Sequence, residues 1–137
     1  CELFEGLDDG QAAHLLALMP SQRLRAGEQL FAQEAPGDAI YLLTEGSISI
    51  VDATRTQRYL SLSPGMCFGE TAVLDGRGRT AAAVADIDST VHRLAAADLT
   101  DLQRLHPATA AQVYLNLARH LSRRLRDAAA AWQRAAS

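Results

Sequence analysis

The spacing of apolar positions changes twice along this chain, and each change marks a new kind of element. In "LDDGQAAHLLAL", residues 7–18, the apolar positions Leu15, Leu16 and Leu18 follow two aspartates. That reads as a short helix, capped by Asp8 or Asp9 and burying its leucines, with His14 at the surface or boundary. From Gln22 to about Leu94 the segments are short and bounded by turn residues: Gly27, Pro36-Gly37-Asp38, Glu45-Gly46, Pro64-Gly65 and Asp86-Ile87-Asp88. Breaks at intervals of roughly ten residues predict an all-β sandwich or barrel. "SISIV" alternates with period two, which predicts a strand with one wet face. "AAAVA" is weaker strand text, because alanine is depleted in strands; side chains this small would let something approach the backbone. After Leu94 the period becomes helical. "AAADLTDLQRLHP" carries Leu99, Leu102 and Leu105, and Pro107 ends that helix or starts the next. A long helix follows from Ala108 to about Arg134, on the order of 40 Å. Its apolar stripe is Val113, Leu117, Leu121 and Leu125, continued by Ala128 and Trp132, which predicts packing against the barrel or against a twin helix.

Composition narrows the class. The chain has 137 residues, enough for one domain with a real core, and 48% hydrophobic content marks a globular chain. A net charge of −3 argues against a domain devoted to gripping nucleic acid, so DNA binding by this chain is not expected. Arg119, Arg123, Arg124 and Arg126 nevertheless cluster near the C-terminus, a pattern that ordinarily makes a solvated helix face. Two cysteines, Cys1 and Cys67, do not make a disulfide framework, which fits a reducing, cytoplasmic setting, and Cys67 reads as a small packing residue. No apolar run approaches the ~20 residues of a membrane span. The chain opens on Cys1 without a methionine, and the expectation is a piece of a longer protein. His14, His92, His106 and His120 are scattered, so no metal site is expected, and no nucleophile–base pair suggests an enzyme.

The chemistry concentrates in "PGMCFGETAVLDGRGRTAAAV", residues 64–84. Gly69 allows a close backbone approach, and "ETAVL" can form one or two helical turns whose first N–H groups lack intrahelical partners. Such a helix start attracts anions. Arg79 adds a planar cation suited to phosphate, and Thr80 a hydroxyl. Glu70 would repel phosphate and instead accept a hydrogen bond from a ligand hydroxyl. Phosphate and hydroxyl together suggest a nucleotide sugar. The plainer reading of Glu70 and Arg79 is a structural ion pair tying a loop to the barrel.

"FGETAVLDGRGRTAAAV" resembles the phosphate-binding cassette of cyclic nucleotide-binding domains, the family of bacterial catabolite activator proteins, protein kinase A regulatory subunits and cyclic-nucleotide-gated channels. Phe68, Gly69, Glu70, Thr71, Ala72, Leu74, Arg79, Thr80 and Ala81 match its pattern, including the Glu-to-Arg spacing. "LRAGEQLFAQEAPGDAIYLLTEGSISI" resembles the family's opening strands, and the helices after Leu94 resemble its last two. Glu34 departs from the pattern where relatives often have glycine, and Met66 where they often have an acidic residue. The resemblance implies an eight-stranded jelly-roll-like β-barrel with one N-terminal and two C-terminal helices. It divides the single domain 1–137 into a helical segment 1–20, a barrel 21–94 with the cassette at 67–82, and helices over 95–137.

The ligand implied is a cyclic nucleotide, cAMP ahead of cGMP, with Thr80 keeping cGMP open. By the same resemblance Glu70 would hold the ribose 2′-hydroxyl. Gly69 and the amides of residues 70–72 would meet the cyclic phosphate or ribose. Arg79 would pair with the phosphate, and Thr80 would bond a phosphate oxygen or the base. Arg124, or Arg123 beside it, would close over the purine, with Trp132 as a looser lid. No catalytic cofactor is implied. The expected function is regulation of an attached effector domain outside this chain, through movement of the long helix about a hinge near 95–107. "HPATAAQVYLNLARHLSRRLRD" is similar to the tail of such domains appended to larger bacterial proteins, glutaminases and SulP-type anion transporters among them. The competing expectation is a ligand-free module that dimerises through the C-terminal helix.

Overall fold

A computed structural model describes residues 2–136. A 3₁₀ turn over Glu2–Phe4 leads to helix α1 (Asp9–Ala17). The cap is Asp8: its Oδ1 accepts from the Gln11 backbone N–H at 2.7 Å while Gln11 Oε1 accepts from the Asp8 N–H at 3.0 Å, a reciprocal capping box. Eight strands follow: β1 (Ser21–Leu24), β2 (Gln29–Phe31), β3 (Ala39–Glu45), β4 (Ile48–Val51), β5 (Arg58–Leu62), β6 (Cys67–Phe68), β7 (Ala82–Ala85) and β8 (Ser89–Ala95). Helix α2 (Glu70–Asp75) interrupts them, and α3 (Ala96–Leu105) and α4 (Pro107–Ala136) close the chain. The strands form two four-stranded antiparallel sheets, in the orders β1-β8-β3-β6 and β2-β7-β4-β5.

Strand β3 shows why this sequence takes this architecture. Its run Ala39–Leu43 is buried on both faces. Ala39, Tyr41 and Leu43 face a core shared between the sheets, with Ile48, Leu62, Phe68, Ala83 and Val91. Ile40 and Leu42 face the other way, into a second core with Leu15, Leu94, Leu99, Leu102, Val113 and Leu117. One sheet is therefore covered by the other sheet on one side and by helices on the other, and its central strand reads as a continuous apolar run.

Two local expectations are revised. Strand β4 does not keep a wet face: Ser49 is buried, because β4 lies between β7 and β5 and the Ser49 hydroxyl donates to the Asp86 carboxylate at 2.7 Å. The apolar stripe of α4 packs only as far as Leu117 and half-buried Leu121; Leu125 and Trp132 are 71% and 76% exposed. The face that α4 buries is Thr109, Ala110, Val113, Asn116, Leu117 and His120. Asn116 donates to the carbonyls of Leu3 and Glu5, both at 2.9 Å, and so ties the N-terminal turn to α4. No helix among the described residues is long and apolar enough to cross a membrane.

Candidate functional site

The segment between β6 and β7 builds one wall of a cavity. Gly69 caps α2 with φ at +81°, a left-handed conformation that costs a side-chain-bearing residue roughly 1–2 kcal/mol. A Cβ there would also lie 2.7 Å from the Arg79 guanidinium. Glycine is required on both counts, and α2 consequently starts with no side-chain cap on its first amides.

Arg79 is 3% exposed. Its guanidinium donates to the Gly69 carbonyl and, at 2.7 Å, to the Ala39 carbonyl, and it stacks over the Phe31 ring at 4.2 Å. Its nearest anion is the exposed Asp38 carboxylate at 3.8 Å. Burial lowers the pKa of Arg79, opposed by Tyr41, Asp38 and Glu70, yet a guanidinium remains cationic. Its backbone is clamped by the loop before β3: Glu34 N–H donates to the Arg79 carbonyl and Arg79 N–H to the Ala35 carbonyl, each at 2.8 Å. Glu34, which stands where glycine was expected, adopts φ +73° to do this.

Glu70 is also 3% exposed, but it does not pair with Arg79. Its Oε1 accepts from His120 Nε2 at 3.0 Å. Burial pushes its carboxyl up; the His120 hydrogen bond, its own backbone N–H and the charges of His120 and Arg124 outweigh that and hold it below the ordinary range. Among the described residues, two buried side-chain polar atoms lack a hydrogen-bond partner: Glu70 Oε2 and Arg79 Nε. Both residues line the same cavity.

That cavity and its open mouth together span about 490 Å³ of space not filled by protein atoms. Nine of the residues singled out in the sequence line it: Phe68, Gly69, Glu70, Thr71, Ala72, Arg79, Thr80, Ala81 and Arg124; Leu74 does not. Phe68 is largely a core residue, stacked on Tyr41 at 5.6 Å. Thr71 and Thr80 are exposed at the mouth. Arg124, half-buried on α4, donates to the Cys67 carbonyl at 3.0 Å and roofs the cavity. Arg123 faces elsewhere and pairs with the Glu2 carboxylate, and Trp132 does not reach the cavity. Phe31, Ile50 and Leu60 supply an apolar wall that sequence reasoning did not assign.

His120 was also missed, although it lies one helical turn before Arg124 and seven residues after Val113, on the inward face. Glu2, Cys67 and His120 bring ligand-type atoms within 4.8 Å of one another. Glu2 Oε1 and His120 Nδ1 are only 2.6 Å apart, a hydrogen-bond distance and shorter than two ligands on one tetrahedral ion would leave, about 3.3 Å. Burial, with the charges of Glu70 and Glu2, pushes the Cys67 thiol up to about 12, which disfavours the thiolate a metal would need. The trio fits a shared proton better than an ion.

A family model described as the cyclic nucleotide-binding domain matches residues 21–106. The chain belongs to that family. Relatives with curated names include glutaminase 2 of Bradyrhizobium diazoefficiens, 37% identical over 90% of this chain and 19% of its own length. The cyclic AMP receptor protein of Thermus thermophilus is 34% identical over 92% of this chain and 58% of its own. Among solved structures, the Thermus thermophilus catabolite activator protein superposes with a TM-score of 0.83 at 31% identity, covering 99% of this chain and 63% of that one. The N-terminal domain of a transcriptional regulator from Streptomyces coelicolor gives 0.79 at 30% identity, covering 90% of each. The domain spans about a fifth of the length of its two glutaminase relatives. Cyclic nucleotide-binding domains are regulatory rather than catalytic, and the glutaminase likeness is confined to this domain.

Proposed function

We propose that this domain senses a cyclic nucleotide, cAMP in preference to cGMP, inside the cytoplasm and passes the signal to an attached effector domain through α4. One observation carries the reading: the buried cation and the buried carboxylate that line the cavity each leave one polar atom without a partner. Unsatisfied buried groups of this kind cost about 1–3 kcal/mol each, more when charged, and a ligand that satisfies them recovers that cost. A phosphate oxygen would accept from Arg79 Nε–H and from the first amides of α2. A ribose 2′-hydroxyl would donate to Glu70 Oε2. Thr80 would bond a phosphate oxygen or the base, and Arg124 would cover the purine against Phe31, Ile50 and Leu60. The preference for cAMP draws on the cyclic AMP receptor protein of Thermus; the Thr80 hydroxyl is what would admit cGMP.

Arg124 and His120 both belong to α4 and both bond the cavity wall, so a ligand contacting either changes the stability of one α4 position relative to others. That difference alone can shift the population. Isothermal calorimetry tests the reading. Micromolar binding of cAMP, reduced at least a hundredfold by Arg79→Ala, is the expected result; no heat with either cyclic nucleotide would refute it. A second reading, association of two copies through α4, draws on the exposed Leu125 and Trp132, which lie seven residues apart on one helix face.

A further inference from the structure

The polar contact that buries Glu70 comes from a residue with no assigned role. His120 is 3% exposed on the inner face of α4, and its two ring nitrogens face two carboxylates. Nδ1 lies 2.6 Å from Glu2 Oε1, and Nε2 lies 3.0 Å from Glu70 Oε1. Each ring nitrogen is thus within hydrogen-bond distance of one carboxylate oxygen, and the ring bridges the two glutamates. Among the described residues, the charged and titratable groups around this bridge come from four elements. Glu2 comes from the N-terminal turn and Cys67 from β6, where its Sγ is 3.9 Å from Glu2 Oε1. Glu70 comes from α2. Arg123, paired with the other Glu2 oxygen, and Arg124 come from α4. Burial pushes the Glu2 carboxyl up, and Arg123 and His120 together hold it below its ordinary value.

The geometry matters because a carboxylate on a glutamate side chain rotates freely unless held. Here Oε1 is pinned by His120 and Oε2 is left without a partner in the cavity wall. Glu70 can therefore aim one oxygen, in one direction, at an incoming hydroxyl. We propose that His120 is a positioning residue for ligand selection: bridging Glu2 and Glu70, it orients the Glu70 carboxylate toward the sugar hydroxyl and links that contact to the N-terminal turn and α4. The inference rests on the reading that Glu70 takes the 2′-hydroxyl of a cyclic nucleotide. A ligand without that hydroxyl therefore gains little from His120.

The test compares cAMP with its 2′-deoxy analogue by calorimetry in the wild type, His120→Leu and His120→Gln, with each variant's fold checked by circular dichroism and thermal melting. A hydrogen bond to a charged group corresponds to a preference of roughly tenfold or more, and the wild type should favour cAMP by that factor. In His120→Leu the two affinities should converge to within about threefold, with the loss falling on cAMP. Glutamine places an N–H near the position of Nε2, so His120→Gln should retain much of the preference. If His120→Leu weakens both ligands equally, His120 merely holds the fold together and the inference is overturned. Should the leucine variant not fold, His120→Asn, whose shorter amide does not reach the Nε2 position, takes its place: an unchanged preference for cAMP overturns the inference too. A wild type that binds cAMP without preferring it would remove the hydroxyl-reading role of Glu70, and this inference with it, but leave cyclic nucleotide binding intact. A wild type that binds neither ligand overturns both readings.

Discussion

Gly37→Ala separates a steric requirement of the site from ordinary stability. Gly37 lies in the loop before β3, and a Cβ built on it would sit 2.5 Å from the Ala72 Cβ and 2.6 Å from the Ala72 carbonyl carbon and oxygen. Ordinary contact begins at 3.4 Å, so the shortest of these falls 0.9 Å short. One side has to move. The loop is anchored: Asp38 pairs with Arg93 at 3.3 Å, and its carbonyl accepts from the Ala96 N–H at 2.8 Å. Helix α2 is six residues long with no side-chain cap, so it is the weaker side. Overpacking of this size costs about 1–3 kcal/mol. For a domain of this length that lowers Tm by roughly 3–12 °C. The displaced element carries Glu70 and Ala72 of the cavity wall, so cAMP affinity should fall at least about tenfold as hydrogen-bond geometry degrades. Gly27→Ala is the control. Gly27 has φ +84° and open space where its Cβ would go, so its cost is conformational, about 1–2 kcal/mol, and its turn is remote from the cavity. Paired melting curves and calorimetry should show both variants destabilised and only Gly37→Ala impaired in binding. Wild-type affinity in a destabilised Gly37→Ala would refute the claim that α2 must sit against this loop to receive the ligand.

Three further predictions are simpler. Glu34→Gly removes a left-handed side-chain-bearing residue, a relief of about 1–2 kcal/mol that the flexibility of glycine partly offsets; Tm should rise slightly, and a fall would show that the Glu34 side chain stabilises the Arg79 clamp. Leu125→Glu places a charge on the exposed stripe of α4; if two copies associate there, light scattering should show the dimer lost while cAMP affinity at monomer concentrations is retained. Glu2 and Glu70 both have folded-state pKa values below the ordinary 4.5, so the stability they contribute is complete above that pH and is lost as pH falls through their folded values. Acid unfolding monitored by fluorescence should therefore set in below about pH 4.5 and be blunted in Glu2→Gln, whereas identical acid profiles would remove Glu2 from the linkage.

The cassette was legible because its chemistry is local. Gly69, Glu70, Arg79 and Thr80 lie within one short stretch, and the left-handed cap, the short helix and the returning arginine follow from neighbours in sequence. Alternation and turns likewise gave away the sheets. What stayed hidden depends on distant partners. His120 and Asn116 are polar residues on a helix, which sequence reads as solvent-facing; they are buried because Glu2, Glu70 and the Leu3 and Glu5 carbonyls, all far away in the chain, satisfy them. Ser49 is covered for the same kind of reason, through Asp86. "AAVA" forms the interior strand β7 despite poor propensity, since pairing with β2 and β4 on either side outweighs it. The stripe of α4 continues to Trp132 in the sequence, but its last members, Leu125 and Trp132, stay exposed.

The resting arrangement also predicts that an anionic ligand is favoured over an uncharged one. A guanidinium removed from water pays a large solvation cost unless an anion or enough acceptors replace the water. Arg79 has two carbonyls and the Phe31 and Tyr41 rings, and the carboxylate it pairs with is solvent-screened, at 3.8 Å. Its cationic state is therefore under-compensated, as the lowering of its pKa by burial indicates. Glu70 differs: His120 compensates its charge and leaves only a lone pair unused. An entering phosphate thus supplies charge to a site that lacks it, whereas an entering hydroxyl supplies direction to a site whose charge is already balanced. The first interaction sets affinity and the second selectivity, which is why substitutions at Arg79 should abolish binding and substitutions around Glu70 should mainly change which sugar is accepted.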